Sequence, residues 1–378
     1  MTATISLRSF DSFAKMAPLF EQLEGWADNP TLSPIWLTAL EEAGCATAEQ
    51  GWIPHHLALY EGSGDAAKLL GAAPCYLKLN SEGEFIFDWG IARAAPKFGV
   101  EYYPKLLFAV PFTPATGPRL LLARGAEPMM ARAAFAAAID SLVDRLEISS
   151  AHVLFLPGAD ARSIAQHGLM HRHSVQFHWN NRGFHTFDDF LKSMPSKRRT
   201  QIRREMRAPS EQGLTLETIS GEALDASMAD VAYDLYLTTV DKFTWGRRYL
   251  NRSFFEIVTS KMRDRIELVA AKRGKKIVAG AINLRGDSTL YGRYWGAHEE
   301  VPFLHFNVCF YHSIERCIRD GISTFEPGAG GEHKIARGFQ PTLTHSVHRF
   351  RDPRLSVVVA DFFARERDAL EAELASMV

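Results

Sequence analysis

Cysteine is scarce in this chain. Cys45, Cys75, Cys309 and Cys317 are the four among 378 residues, and no two stand in a Cys-x-x-Cys pair. That excludes a disulfide scaffold and a cysteine-type zinc module, and predicts buried free thiols in a reducing, cytoplasmic setting. Long apolar runs are missing as well. The richest stretch, Ala131 to Ala138, stops at Asp140, short of the roughly 18 apolar residues a membrane helix needs, so no membrane span is expected. The first residues carry no basic segment ahead of an apolar core, so no secretory signal is read there. Charge of one sign is not in excess either: the net charge is -1, and binding to a polyanion would need a local basic patch. There is no HExxH, no Walker loop and no GxSxG. The 14 histidines show no metal-ligand spacing, so no metal site is expected.

What remains is ordinary globular material, 46% apolar and 23% charged, long enough for two domains at about 100–200 residues each. Its most informative feature is an internal repeat. His55 to Gly90 and Arg265 to Gly296 each read as three apolar runs broken by turns. The turns are Gly62-Ser63-Gly64-Asp65 and Ser81-Glu82-Gly83 in the first copy. In the second they are Arg273-Gly274-Lys275-Lys276 and Arg285-Gly286-Asp287. Both copies end on Trp-Gly, and the pattern predicts an antiparallel three-strand meander in each. The halves match again downstream. Pro157-Gly158-Ala159, Ile164-Ala165, Gly168 and His173-Ser174-Val175 correspond to Pro327-Gly328-Ala329, Ile335-Ala336, Gly338 and His345-Ser346-Val347.

Each half then reads as a meander, a helix (Met129 to Leu146; Leu304 to Arg319), a buried strand (His152 to Leu156; Ile322 to Glu326), a short helical segment and a final strand. The second has a helical preface, Thr186 to Met262, and a surface helix from Val358 to Met377 with an apolar side. The expected fold is α/β (α+β), two tandem domains, each a mixed, mainly antiparallel sheet flanked by helices. The expected division is 1–182 and 183–378.

This order of elements resembles the GNAT acyltransferase fold, and two such halves in tandem resemble the Fem family. The match is closer still to FemAB-like, or peptidoglycan biosynthesis/recognition, proteins. The motifs that carry it are Ser33-Pro34-Ile35-Trp36-Leu37, Tyr102-Tyr103-Pro104-Lys105-Leu106, Pro111-Phe112-Thr113-Pro114, Gln176-Phe177-His178-Trp179-Asn180, Lys197-Arg198-Arg199, Leu290 to Gly296 and Phe325 to Lys334. The resemblance implies an N-acyl or aminoacyl transferase acting on an amine, such as that of a peptide or cell-wall precursor. It implies aminoacyl-tRNA or acyl-CoA as donor substrate, tRNA as a partner in the first case, and no permanently bound cofactor. Two departures bear on the donor. The stretch Gly296 to His305 lacks the glycine-rich loop whose N–H groups hold a CoA pyrophosphate. The long coiled-coil arm of some Fem enzymes is also missing, its place taken by one short basic helix.

Three clusters can carry chemistry. Glu332, His333, Lys334 and Arg337 follow a Pro-Gly-Ala-Gly-Gly turn at the end of a buried strand, a place where sites are often built. Acyl transfer to an amine needs a base and a group for the oxyanion. Glu332 or His333 suits the first role, and Lys334 and Arg337 suit the second or hold a phosphate. The resemblance places a Fem-family lysine at Lys334. The alternative is a turn with a solvated charged rim. On the strand before, period-two spacing puts Tyr291, Arg293 and Trp295 on one face. They form either an anion clamp lined by rings or a core strand with one arginine reaching for solvent. His305, at the start of the next helix, is a ligand contact or a packed histidine. Lys197, Arg198, Arg199 and Arg203 form a basic helix face with little acid nearby, awaiting an anion such as RNA or paired elsewhere in the fold. Tyr103 and Lys105 line a groove between the halves or simply pack. A non-catalytic binder of peptidoglycan or RNA is the alternative from another class.

Overall fold

The computed structural model describes residues 4–242 and 247–376. Residues 243–246 of the expected helical preface, and Met377 at the end of the expected last helix, lie outside the described residues. The chain divides into two compact units. One takes the chain up to Ala27, Leu32–Val175 and the segment from Leu343 onward; the other takes Asp28–Thr31 and Gln176–Thr342.

In chain order the first unit contains β1 (Ile5–Phe10), β2 (Trp52–Pro54), β3 (His56–Glu61), β4 (Lys68–Ala73), β5 (Tyr76–Lys78), β6 (Lys105–Phe108), β7 (Leu121–Leu122) and β8 (Ser150–Leu156). Strand β9 (Met170–Asn180) carries the chain into the second unit. That unit contains β10 (Thr215–Ser220), β11 (Ile266–Arg273), β12 (Lys276–Arg285), β13 (Thr289–Ala297) and β14 (Thr324–Glu326). Strand β15 (Gln340–Phe350) leads back. The first unit has a small antiparallel sheet, β1-β3-β4-β7, and a second ladder, β15-β8-β6-β5-β2. The second unit's ladder runs β10-β11-β12-β13-β14-β9. Its meander β11-β12-β13 is antiparallel and β13–β14 is parallel. The mixed, mainly antiparallel character expected from the sequence is what forms.

The units differ from a sequential division at 182/183. The last strand of each half finds its partner in the other half of the sequence: Trp179 of β9 opposes Phe325 of β14, and Val347 of β15 opposes Val153 of β8. The duplicated His-Ser-Val strands have the same apolar pattern, so each can fill the edge left by the other's counterpart. The segment from Leu343 onward, with the helix Pro353–Ser376, therefore belongs with the first unit. Leu355, Val359 and Phe363 of that helix are buried with Tyr102 and Phe350.

The helix Pro128–Arg145 shows how local signals set an element. Glu127 caps it by accepting from the N–H groups of Met129 and Met130, Pro128 follows, and Ala131, Phe135, Ala138, Ile139 and Leu142 are buried at helical spacing. They pack with Leu57, Leu59, Phe108, Val153 and Val347 in the first unit's core. The second core gathers Val269, Ala271, Val278, Ala281, Leu304 and Val308.

The first half departs from its expected meander. β3 and β4 form a hairpin, but β4 pairs next with β7, and residues 84–88 are not a strand. Glu84 and Asp88 there are buried and turn inward to the buried ammonium of Lys105, at 2.9 and 2.5 Å. On an extended strand residues 84 and 88 would stand roughly 13 Å apart, too far for both carboxylates to meet one ammonium.

The repeated Trp-Gly pair has diverged in role. A Cβ on Gly296 would lie 1.8 Å from the Leu235 carbonyl oxygen of the helix Ala226–Val240, whereas one on Gly90 would meet nothing within 4 Å. Gly296→Ala is expected to lower the free energy of chemical unfolding by about 1–3 kcal/mol or more. Gly90→Ala, in the short helix Trp89–Ala94, should be neutral or stabilising by up to about 1 kcal/mol. Equal effects at the two sites would contradict this account.

Candidate functional site

Three elements of the second unit enclose a cavity of about 230 Å³. Strand β13 forms one wall. Opposite Ile282 and Asn283 of β12 the register shifts, so that Ile282 faces Tyr294 and Asn283 faces Gly292. Arg293 is the extra residue of this bulge, a device that re-aims a side chain. It breaks the simple alternation expected for Tyr291, Arg293 and Trp295. Arg293, Tyr294 and Trp295 line the cavity, while Tyr291 does not; it is buried, with the Arg293 guanidinium 5.8 Å from its ring.

The second wall is the turn after β14, with Pro327, Ala329, Gly330, Gly331, His333 and Lys334. Gly328, Gly330 and Gly331 all have positive φ, which the sharp path of this turn requires. It leads into a 3-10 turn, Glu332–Arg337. The third wall is the helical run Leu304–Asp320. Its middle, Asn307–Tyr311, is a π-turn that supplies Cys309 and Phe310 to the cavity. The run is preceded by Phe303 at φ 62, left-handed backbone that a bulky residue adopts only under constraint. π-turns and strained residues both concentrate at functional sites.

Two cations converge here. Lys334 is buried, and its Nζ donates to the carbonyl oxygens of Gly328 at 2.8 Å and Ala329 at 3.4 Å. Burial, with Arg293 nearby, pulls its pKa from 10.5 to about 8. The Nε and Nη2 atoms of Arg293 are buried without a hydrogen-bond partner among the described residues. Burial also lowers its proton affinity, with the charge of buried Glu326 working the other way. Leaving guanidinium donors unpaired is costly, and an anionic ligand group would remove the cost. Beside them stand imidazoles. His305 lines the cavity, edge-on to Trp295 at 5.2 Å, and burial together with the charges of His333, Lys334 and Arg337 brings it to about 4. His178 is buried, its Nε2 3.2 Å from Gln176 Oε1, and burial with Lys334 and Arg293 brings it to about 4 as well. Both are neutral at pH 7 and able to accept a proton only from a strong acid or a developing one. His333 is exposed at the cavity rim, and burial of one side lowers its pKa too.

Several expected residues are placed elsewhere. Glu332 is exposed and not on the cavity wall. Arg337 is not free to hold an oxyanion. It is buried, stacked on Phe306 at 3.2 Å, and bound through Nε and Nη2 to Glu205 at 3.2 and 3.1 Å. Glu205 also accepts from Gln201 at 2.8 Å and from the Tyr311 hydroxyl, and its backbone oxygen accepts from Asn307 at 2.8 Å. This acid sits in the helix Ser196–Glu211, inside the basic run. The basic face is less bare than the sequence implied. Arg203 pairs with Asp188 at 3.0 Å, Arg198 with Gln201 and Arg199 with the Met194 carbonyl, while Lys197 is exposed. The composition of the run hides Asp188, which comes from the preceding helix Phe187–Lys192.

Tyr103 and Lys105 belong to the first unit. Lys105 is buried against Glu84 and Asp88, and the Tyr103 hydroxyl is 2.7 Å from Ser81 Oγ. Their side chains answer a local charge problem rather than lining the cavity of the second unit. Sequence reasoning missed Glu205 and His178 as site residues. The available signals were the lone acid among Lys197 to Arg207 and the polar pair Gln176 and His178 at strand spacing. The repeat also shows where the first half differs: Ser163 precedes Ile164-Ala165 where Lys334 precedes Ile335-Ala336, and residues from Gly158 onward are already helical.

A family model for peptidoglycan biosynthesis/recognition proteins, FemAB-like, matches residues 4–378. No curated protein matches the sequence. Among solved structures, FemX aligns at TM-score 0.51 and 11% identity, over 94% of this chain and 100% of that one. The C-terminal domain (DUF2156) of a putative lysylphosphatidylglycerol synthetase from Agrobacterium fabrum aligns at TM-score 0.51 and 10% identity, over 93% and 96%. A conserved protein of unknown function from Bacteroides thetaiotaomicron does so at TM-score 0.51 and 10% identity, over 92% and 100%. At these identities the likeness is one of fold.

Proposed function

We propose that this chain, which belongs to the FemAB-like family of peptidoglycan biosynthesis/recognition proteins, transfers an acyl or aminoacyl group from an activated ester to an amine in the cavity of its second unit. One observation carries the reading: two cations, buried Lys334 and half-buried Arg293, face one cavity, and neither is hydrogen-bonded to a carboxylate among the described residues.

The chemistry follows from the charges. The amine nitrogen attacks the carbonyl carbon, and negative charge gathers on the carbonyl oxygen. The Lys334 ammonium, held by two carbonyls in a site of low polarity, is placed to stabilise that charge. Arg293 takes a carboxylate or phosphate of one substrate with its planar fork of donors. As the C–N bond forms, the nitrogen becomes strongly acidic, and neutral His305 or His333 takes its proton. The C–O bond to the leaving hydroxyl then breaks, and that oxygen takes the proton from the same imidazolium, which returns to its neutral form. No covalent enzyme intermediate is needed. The cavity, about 230 Å³, is smaller than the roughly 300–1,000 Å³ of sites for drug-sized ligands, so it suits the reacting groups while the body of the donor lies outside. The absence of a glycine-rich pyrophosphate loop between Gly296 and His305 favours aminoacyl-tRNA over acyl-CoA as donor.

The test is competitive. The purified chain is loaded with ligands from a cell extract and observed by native mass spectrometry, with mixed aminoacyl-tRNA or a panel of acyl-CoAs added. Displacement by aminoacyl-tRNA alone, with label from the charged amino acid appearing on an amine, is the expected result. Displacement by acyl-CoA alone would reassign the donor. Displacement by neither would overturn the transferase reading.

A further inference from the structure

Three histidines of the first unit form a second cluster, separate from the cavity just described. His171 and His173 lie two residues apart on β9, so their side chains share a face. His345 lies on β15, the neighbouring strand. One ligand atom from each falls within 4.8 Å of the other two, and all three residues are half-buried. The Nε2 of His171 is 3.1 Å from the Nδ1 of His345 although the two stand 174 positions apart in the chain. Ring centroids are 4.5 Å apart for His171 and His173, and 5.2 Å apart for His345 with each of them.

We propose that His171, His173 and His345 form a binding site for one divalent cation of the zinc class, with a fourth position open. Zinc takes imidazole nitrogen at about 2.0–2.1 Å in tetrahedral geometry, which sets ligand nitrogens about 3.3–3.4 Å apart. The 3.1 Å pair is within about 0.3 Å of this, and the ligand atom of the third ring lies within 4.8 Å of the other two, a gap that side-chain rotation has to close. Two histidines at strand spacing plus one from a neighbouring strand is an efficient way to present three nitrogens to one point, because the pleat aims all three from the same sheet face. Three protein ligands leave a water or substrate position. Nothing in the transfer reading requires this site.

The surroundings are compatible. Burial lowers the proton affinity of all three imidazoles, with His171 brought to about 4, so at pH 7 they are neutral as metal ligands must be. Arg162 and Arg367 also face the cluster and oppose a dication, and Glu371 faces His173 and favours one. Both arginines are exposed, where solvent screens them and their long side chains can turn away. Gly158 keeps the far edge of His345 clear: a Cβ there would lie 2.8 Å from Nε2. The bland alternative is three neutral rings hydrogen-bonded for packing. That arrangement explains the 3.1 Å contact but predicts no metal affinity. The duplication makes the convergence intelligible, since His173-Ser174-Val175 and His345-Ser346-Val347 are the same repeat element, one from each half.

The test uses the full chain without a polyhistidine tag, stripped with a chelator and titrated with Zn²⁺ against a chromophoric competitor. The expected result is one Zn²⁺ per chain, and with Co²⁺ the intense visible bands of tetrahedral coordination. His173→Gln and His345→Gln should each weaken binding by roughly 1,000-fold, beyond the 10–100-fold that orienting neighbours contribute. His185→Gln, at an exposed position, should change nothing. Circular dichroism establishes that each variant is folded. Failure of the wild-type chain to bind a stoichiometric ion, or equal binding by folded His173→Gln and His345→Gln, would overturn the proposal.

Discussion

Lys334→Met is expected to lower the turnover number for acyl or aminoacyl transfer by about 100–1,000-fold, the range for removing one donor to a developing oxyanion, while substrate affinity changes only a few fold. Methionine approximates the length of the lysine stem and removes the charge. The variant should unfold no more easily than the parent, because a buried ammonium satisfied only by carbonyls is expensive to keep. Lys334→Arg should not restore activity, since the wider guanidinium cannot take the place of a compact ammonium between Gly328 and Ala329. The pH profile gives an independent readout. With its pKa near 8 instead of 10.5, Lys334 loses its proton in the folded protein as pH rises through about 8, and turnover falls there if the ammonium acts. The stability effect has the opposite sense. Between about pH 8 and 10.5 the unfolded chain holds a proton that the folded chain has released, so this residue's contribution to folding stability becomes more favourable as pH rises across that window. Lys334→Met abolishes both trends. A variant that turns over at the parent's rate would remove Lys334 from the chemistry.

Glu205→Ala is expected to lower the free energy of unfolding by about 3–5 kcal/mol, measured by urea titration of the full chain. That is the range for breaking one side of a buried ion pair. Glu205 is buried at 1% exposure and accepts from Arg337, Gln201 and Tyr311 at once. Its loss strands a guanidinium and a phenol inside the second unit. Adding Arg337→Met to Glu205→Ala should recover a large part of the deficit, because the stranded charge goes with it. Turnover should fall in Glu205→Ala as well, since Arg337 anchors the same 3-10 turn that carries Lys334. A cost within about 1 kcal/mol, the typical value of an exposed pair, would show that the network does not hold the turn.

Much of the second half was legible from residues alone. The meander from Ile266 to Ala297 follows from alternation and Gly-containing turns, and the Pro-Gly-Ala-Gly-Gly turn announces a bend that side chains alone would not allow. Lys334 stood out because it follows that turn among other ionisable side chains and because the resemblance places a Fem-family lysine there. Arg337, three residues on, looked equivalent. A 3-10 turn sets residues three apart on one side, and it is their neighbours that separate them: Lys334 reaches the carbonyls of Gly328 and Ala329, and Arg337 reaches Glu205. The expected alignment of Tyr291 with Arg293 failed for a related reason. A bulge is a two-strand property, and β13 read alone does not reveal that β12 is one residue short opposite it.

The sequence by itself determined the second half's meander, the glycine-bearing turns, the duplication and the family, because these depend on local periodicity, on glycine and proline, and on ordered motifs; it missed that residues 84–88 are no strand and that strand β10 interrupts the expected helical preface. Only the tertiary structure decided which strand pairs with which. Copies made by duplication carry interchangeable edges, and nothing local distinguishes a strand's own partner from its twin's. From that pairing follow the division into units and the meeting of His171 and His173 with His345. The sorting of the cations into two with no carboxylate hydrogen bond among the described residues, Lys334 and Arg293, and one paired with Glu205, Arg337, is likewise a matter of three-dimensional neighbours, because a charge in a protein is governed by what lies within a few ångströms in space.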